Sequence, residues 1–189
     1  MKILIETSAR HVHLSEEVFK VLFGINSKLH IKKYLSQPGQ FLSKEKIVIK
    51  CFENSIKNVS VLGPFREETQ VEISVTDSKK LKINTQIRES GNIKNTVGCE
   101  IIGPNGNFTL ENGVIISKRH IHMPDDQNSF YNGQIVGVKI FGTERSAILY
   151  DTVVRTDKNF KLAMHIDTDE ANSVGVFGDK EIYGEIVSL

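Results

Sequence analysis

The chain has 189 residues, enough for one large domain or two small domains with a buried core. Its 24 Lys and Arg residues nearly balance its 23 Asp and Glu residues, so the strongly basic surface typical of nucleic-acid or membrane binding is not expected. No apolar run approaches the length of a membrane span, and two cysteines without a C-x-x-C pair make no disulfide framework. We therefore expect a cytoplasmic protein with reduced thiols.

The predicted elements are mostly short strands, rich in β-branched residues and bounded by Gly, Asn, Asp or Pro. A first apolar run at Ile3 to Ile5 precedes a helix predicted over Glu16–Phe23, with Ser15 as its N-cap. The strands predicted after that helix cover residues 46–51, 57–62, 70–75, 100–102, 113–116, 135–141, 146–155, 162–166 and 181–187. Pro124 begins a second predicted helix. This succession predicts a mainly β protein built from barrels or a sandwich.

Four of the six histidines occur in one pattern that is used twice. His11 and His13 lie in SARHVHLS, and His120 and His122 lie in SKRHIHMP, 109 residues further along the chain. Each copy follows a short apolar run. Because residues i and i+2 of a strand point to the same face, each H-x-H directs two imidazoles towards one point, as a metal ion requires. The repeat therefore predicts two metal sites.

A second stretch of the repeat predicts a third ligand for each site. The segment VEISVTD, which begins at Val71, resembles MHIDTD, which begins at Met164, if one residue is gapped. Under that alignment Glu72 corresponds to His165, and both residue types bind zinc well. The predicted ligand sets are His11, His13 and Glu72 for one metal and His120, His122 and His165 for the other.

A different metal motif overlaps the first copy. His11, His13 and Glu17 match the H-x-H-x(3)-E pattern of cupins, and Asp126 stands at the same offset in the second copy. Acidic residues are also favoured in the first turn of a helix, where the helix dipole stabilises them. We prefer that interpretation for Glu17 and Asp126. Similarly, Arg10 and Arg119 precede the H-x-H units and should point away from the metals, where carboxylate partners are expected.

The chain resembles a known family at six points that follow the family's order. The matching segments are SARHVHLS, LSQPGQF, VLGPFREETQVEIS, ESGNI, GVIISKRHIHMP and MHIDTDEAN. They resemble the PduL-type phosphate acyltransferases, which are metal-dependent phosphotransacylases. The family interconverts a short-chain acyl-CoA plus phosphate with an acyl phosphate plus CoA. Propanoyl-CoA or acetyl-CoA is the substrate that this resemblance implies.

The resemblance implies roles for individual residues. Two Zn²⁺ ions per chain would be held by the same six residues that the internal repeat predicts. Phosphate would be bound by Arg66, Gln70, Ser90 and Arg155, with Arg66 also catalytic. We expect the His11/His13/Glu72 metal to accept the CoA sulfur. The all-histidine metal, which carries more positive charge, suits phosphate oxygen or the thioester carbonyl.

The resemblance also implies an architecture of two β-barrels capped by short helices, with the active site in the cleft between them. Residues 1–9 and 118–189 would form the barrel with the second metal motif. Residues 10–117 would form the other barrel, including a small lid sheet around residues 24–43. A homodimer is expected. Since the chain begins almost directly at its first strand, we expect no N-terminal microcompartment-targeting segment and a cytoplasmic location.

Two other roles are compatible with the same metal-binding pattern. A metallohydrolase would cleave a thioester with water, although water needs no cradle of the kind that Arg66, Ser90 and Arg155 would form. Alternatively, the metal would only stabilise the fold, although structural zinc sites prefer four protein ligands. Histidine and carboxylate ligands also accept other divalent transition metals, so the choice of zinc rests on the resemblance.

Overall fold

A computed structural model describes residues 1–126, 129–178 and 180–187. The chain divides into two compact units: unit 1 comprises Met1–Ala9 and Lys118–Leu189, and unit 2 comprises Arg10–Ser117. In the described part of the chain, the strands are β1 (Lys2–Ser8), β2 (His11–His13), β3 (Ile31–Tyr34), β4 (Phe41–Cys51), β5 (Asn54–Gly63), β6 (Gln70–Ile73), β7 (Ile87–Arg88), β8 (Val97–Ile102), β9 (Asn107–Ser117), β10 (His120–Met123), β11 (Ile135–Phe141), β12 (Ala147–Thr156), β13 (Ala163–Asp167) and β14 (Ile182–Val187). The helices are α1 (Glu16–Phe23), α2 (Val75–Leu81) and α3 (Thr168–Ser173).

The strands of unit 1 close into a barrel in the order β1-β13-β10-β12-β11-β14. The N-terminal strand β1 completes it, parallel to β13 and antiparallel to β14. Alternate residues of each strand point inwards, so Ile5, Ile121 and Met164 lie in one apolar core. Unit 1 therefore combines the first strand of the chain with its C-terminal part.

Unit 2 contains a second six-stranded barrel. Strands β4, β5, β2, β6 and β9 are successive neighbours, and β8 pairs with both β9 and β4, which closes the ring. Strand β3, whose residues are all exposed, pairs with the start of β4, and β7 pairs with β9. The core includes Val12, Val71 and the free thiols of Cys51 and Cys99. The prediction of a mainly β fold with two barrels and few short helices is confirmed.

The two barrels have the same strand connectivity. In each, the H-x-H strand (β2 or β10) is parallel to one neighbour and antiparallel to another, β6 or β13. The strand that precedes each H-x-H motif lies in the barrel made mostly by the other half of the chain. Thus β1 precedes β2 but pairs with β13, and β9 precedes β10 but pairs with β6. The sequence repeat therefore corresponds to two barrels of the same topology. The strand that precedes each H-x-H motif belongs to the other barrel.

Two of the helices, α2 and α3, differ from the sequence prediction. Helix α1 has the predicted bounds, and the Ser15 side chain accepts a hydrogen bond from the Val18 backbone N–H. The strand predicted over residues 70–75 was too long, because it ends at Ile73 and α2 begins at Val75. The Ser74 hydroxyl accepts from the Asp77 N–H, a cap that outweighs the β-branched character of the segment. Helix α3 was not predicted.

The helix predicted to begin at Pro124 is not seen in the described part of that segment. Residues 124–126 form no helix, and residues 127 and 128 lie outside the described residues. None of the helices in the described ranges is long and apolar enough to cross a membrane.

Candidate functional site

The first H-x-H motif lies on a strand that has one apolar residue between two imidazoles. Val12 is in the core of unit 2, so His11 and His13 share the opposite face of β2. Strand β6 is antiparallel to β2 and places Glu72 directly opposite His11. The Nε2 atoms of His11 and His13 lie 3.6 and 3.9 Å from the two carboxylate oxygens of Glu72. All three side chains are buried.

These three residues fit a metal ion. One ligand atom from each lies within 4.8 Å of the others. Two atoms that are each about 2.1 Å from one zinc ion, at a tetrahedral angle, are about 3.4 Å apart. The separations of 3.6 and 3.9 Å are close to that value and longer than a strong hydrogen bond. Three protein ligands leave a position for an exogenous ligand, as in catalytic zinc sites.

The protonation of this group also suits metal binding. Burial would raise the pKa of Glu72, but His11, His13, Arg66 and a hydrogen bond from Ser90 lower it to about 2. Burial, with His11 and Arg66 nearby, holds the pKa of His13 well below its usual range. Near neutral pH Glu72 is therefore an anion and His13 a neutral imidazole. These are the forms that ligate a metal.

Three of the four residues predicted to bind phosphate meet around Glu72. The Ser90 hydroxyl donates to Glu72 Oε1 at 2.9 Å, and Gln70 Nε2 donates to the same oxygen at 2.6 Å. Arg66 Nη1 donates to Ser90 Oγ at 3.0 Å. The backbone N–H of Gly91 donates to Gln70 Oε1 at 2.7 Å, a contact that the sequence did not indicate. One hydrogen-bonded network therefore joins a guanidinium group to a candidate metal ligand.

The second H-x-H motif forms a similar cluster in unit 1. The ring centroids of His120, His122 and His165 are 4.7 to 5.3 Å apart. His120 lies opposite His165 across β10 and β13, as His11 lies opposite Glu72 across β2 and β6. This register agrees with the gapped alignment that paired Glu72 with His165. The predicted second triad is therefore brought together.

Local contacts orient two of these imidazoles. Nδ1 of His120 lies 2.9 Å from the carbonyl oxygen of Lys118. A carbonyl only accepts hydrogen bonds, so Nδ1 carries the proton and Nε2 keeps its lone pair for a metal. The Phe160 ring packs on His122, with centroids 4.2 Å apart. Imidazoles are ligands that divalent transition metals accept, so the residue types of this cluster are compatible with a metal.

Arg155, the fourth residue predicted to bind phosphate, belongs to unit 1. It lies on β12 directly opposite His122, and its side chain is partly buried. The structure thus places one arginine beside the histidine cluster of unit 1 and another, Arg66, in the network of unit 2.

The two arginines that precede the H-x-H motifs have the structural role that was predicted for them. Arg10 Nε donates to the buried carboxylate of Asp77 at 2.8 Å, and Arg119 Nη1 donates to Glu170 at 2.6 Å. Arg119 also binds the Tyr150 carbonyl. Glu17 is exposed in the first turn of α1, which favours the helix-start interpretation over a cupin-like ligand.

Replacing Arg119 with alanine should lower the free energy of unfolding by about 2 kcal/mol, because two hydrogen bonds of a charged donor are lost and Glu170 keeps its half-buried charge. Urea denaturation of the variant measures this change. Arg145→Ala, which removes an exposed hydrogen bond to the Asn172 carbonyl, is the control and should change stability by less than about 0.5 kcal/mol. Equal stability of Arg119→Ala and the wild type would contradict a structural role for Arg119.

Asp167, two residues after His165, is the N-cap of helix α3. Its Oδ1 accepts from the Glu170 N–H at 2.8 Å, and the Glu170 carboxylate accepts from the Asp167 N–H at 3.0 Å. This reciprocal pair is the capping box that begins α3. The motif Asp-x-x-Glu was visible in the sequence and could have predicted this helix.

Comparison with known proteins gives one consistent result. A family model described as phosphate propanoyltransferase matches residues 4–177. A phosphate propanoyltransferase of Enterococcus faecalis is 47% identical over 91% of this chain and 82% of its own length. Those of Thermotoga maritima and Clostridioides difficile are 45% and 46% identical, each over 90% of this chain and 83% of their own length.

Proposed function

The chain belongs to the phosphate propanoyltransferase family, and on that premise we propose that it is a metal-dependent acyltransferase acting on propanoyl-CoA or acetyl-CoA. The reaction interconverts the acyl-CoA plus phosphate with acyl phosphate plus CoA. The observation that supports this best is the network in which Arg66 and Ser90 adjoin the buried His11/His13/Glu72 group.

The bond changes define what the protein must supply. A phosphate oxygen forms a bond to the thioester carbonyl carbon, the carbon–sulfur bond breaks, and the sulfur leaves with the electron pair as the CoA thiolate. Phosphate near neutral pH is already anionic, so its attack needs little help from a general base. The demanding tasks are to bring two anions together and to stabilise the charge on the carbonyl oxygen and the sulfur.

The metal ligands in this proposal are the two triads, His11, His13 and Glu72 in unit 2 and His120, His122 and His165 in unit 1. Zinc bound there supplies Lewis-acid chemistry, which stabilises thiolate and oxyanion charge, and other divalent transition metals have similar ligand preferences. Ser90 and Gln70 hold the Glu72 carboxylate in place through their hydrogen bonds to Oε1.

The phosphate ligands in the proposal are Arg66, Gln70, Ser90 and Arg155. A guanidinium group binds phosphate through two parallel hydrogen bonds and offsets the repulsion between phosphate and an anionic co-substrate. Arg66 is the residue of this set to which we assign a catalytic role, because it also adjoins the group that would hold a metal ion. Ser90 and Gln70 have polar atoms within 2.9 Å of each other and so form one recognition surface with Arg66.

The proposal extends to the assembly and location of the protein on the strength of the family resemblance. The chain acts as a homodimer in the cytoplasm, with CoA and phosphate as its small-molecule partners. Light scattering of the purified protein measures the dimer directly, and a monomer mass would reject that part of the proposal.

The test of the proposed reaction is an assay of thiol release from propanoyl-CoA and acetyl-CoA, with and without phosphate. We expect thiol release to require phosphate and to be matched by an equal amount of acyl phosphate, trapped as its hydroxamate. Release of free acid without acyl phosphate would favour a thioester hydrolase. Stoichiometric metal without turnover of either acyl-CoA would favour a metal that only stabilises the fold.

A further inference from the structure

A carboxylate lies next to the histidine cluster of unit 1. Strands β1, β13 and β10 are neighbours in the barrel, and their registers place Glu6 opposite His165 and His165 opposite His120. Glu6 Oε2 is 3.5 Å from Nε2 of His165. The Glu6 side chain is only 26% exposed, so most of it is withdrawn from water. The internal repeat of the sequence did not include this residue.

The alternation of the strands places these side chains on one face. Ile5 on β1, and Met164 and Ile166 on β13, point into the core of unit 1. Glu6 follows Ile5, and His165 lies between the two core residues of β13, so both have the opposite orientation. Neighbouring residues on one face of a sheet are in reach of each other, and the measured distance shows that these two are.

The position in the other barrel that corresponds to Glu6 holds an apolar residue. Ile115 stands in β9 where Glu6 stands in β1: each is five residues before the first histidine of its H-x-H motif. Ile115 lies opposite Glu72, as Glu6 lies opposite His165. The unit 2 site therefore has a carboxylate on the strand next to its H-x-H motif and an apolar residue beyond it. In unit 1 the neighbouring strand supplies a histidine, and the carboxylate comes from one strand further.

The distances in the two sites correspond. The separation of 3.5 Å between His165 Nε2 and Glu6 Oε2 compares with 3.6 Å between His11 Nε2 and Glu72 Oε2. Both are close to the roughly 3.4 Å expected for two ligand atoms around one tetrahedral zinc ion. Glu6 thus lies about as far from one imidazole as the carboxylate of the other triad does.

We propose that Glu6 is the carboxylate ligand of the divalent cation held by His120, His122 and His165. This inference rests on the proposed metal binding at that cluster. A zinc ion with three neutral imidazoles has a net charge of +2, and one carboxylate reduces it to +1, the same as at the His11/His13/Glu72 site. With Glu6 as a ligand, the second metal would not carry the greater charge that three histidine ligands alone would give it. An exogenous ligand would have to add to these four protein ligands, which zinc tolerates in some catalytic sites.

The test is zinc affinity, measured by competition with a chromophoric chelator on the full chain. We expect two zinc ions per wild-type chain. Glu6→Gln, which preserves shape but removes the charge, should weaken one of them by at least about tenfold and leave the other unchanged. The matched control is Glu185→Gln, an exposed carboxylate on the neighbouring strand β14, which should retain both wild-type affinities.

A spectrum of the cobalt-loaded protein provides a readout of the ligands themselves. Glu6→Gln should change the visible cobalt bands that His122→Ala eliminates, and Glu185→Gln should not. If His122→Ala loses one ion while Glu6→Gln keeps both affinities and the wild-type spectrum, the role of Glu6 is rejected and the metal site stands. If His122→Ala binds as many ions as the wild type with equal affinity, the metal site of unit 1 is rejected, and Glu6 with it.

Discussion

Replacing His120 with alanine is expected to abolish phosphate-dependent release of CoA from propanoyl-CoA and to remove one metal ion per chain. The hydrogen bond from its Nδ1 to the Lys118 carbonyl orients the ring of His120, which lies 4.7 Å from the ring of His122 and 5.3 Å from that of His165. Without this ligand the remaining imidazoles of the cluster bind a divalent ion much more weakly. A bound metal contributes several kcal/mol to stabilising transition-state charge, so we expect kcat/KM to fall by a factor on the order of a thousand or more.

The matched control for this experiment is His30→Ala. His30 is the one histidine outside the two H-x-H motifs and their third ligands, and it is exposed beside Glu45. This variant should retain two metal ions and wild-type turnover. Metal content by elemental analysis and the initial rate of thiol release are measured on the same preparations. Retained phosphate-dependent activity in His120→Ala would reject the role given to the metal of unit 1.

Replacing Arg66 with alanine should chiefly weaken the use of phosphate. The variant loses a guanidinium group that donates to Ser90 Oγ and lies close enough to Glu72 to lower the pKa of that carboxyl. A charge-assisted hydrogen bond contributes about 1.5–3 kcal/mol, so we expect the KM for phosphate to rise roughly 10- to 100-fold. The KM for the acyl-CoA should change much less.

Arg66→Lys separates charge from geometry. It keeps the positive charge but cannot bind phosphate through two parallel hydrogen bonds, so its KM for phosphate should lie between those of the wild type and Arg66→Ala. Steady-state kinetics with phosphate as the varied substrate measures both variants. A phosphate KM that is unchanged in Arg66→Ala would contradict its place in the phosphate site.

The sequence predicted secondary structure least well where tertiary contacts determine the ends of a strand. Residues 70–75 have strand character, yet the strand ends at Ile73 because Ser74 caps α2. The strand before the second H-x-H motif was predicted over residues 113–116 but runs over Asn107–Ser117, since its polar first half pairs with β8. Strand β3 has four exposed residues and no apolar alternation, so only its pairing with β4 defines it.

The two thiols are the opposite case, in which the composition alone predicted the state that the structure shows. Two cysteines without a C-x-x-C pair were expected to remain reduced thiols, and both are free and buried in unit 2. Burial and the neighbouring Cys51 raise the pKa of the Cys99 thiol to about 12. A thiol with that pKa is protonated at neutral pH and unreactive, which agrees with a packing role.

The sequence by itself determined the residue pairs that face one point, because two-residue periodicity is a property of a single strand. It also aligned Glu72 with His165, since both follow from the repeat of the chain. Which strand lies beside which was decided only by the tertiary structure. The repeat alone would leave Glu6 near the H-x-H motif that follows it, whereas the exchange of first strands places it against His165, about 160 residues away. Pairing between distant strands depends on how a barrel closes, and no local pattern encodes that closure.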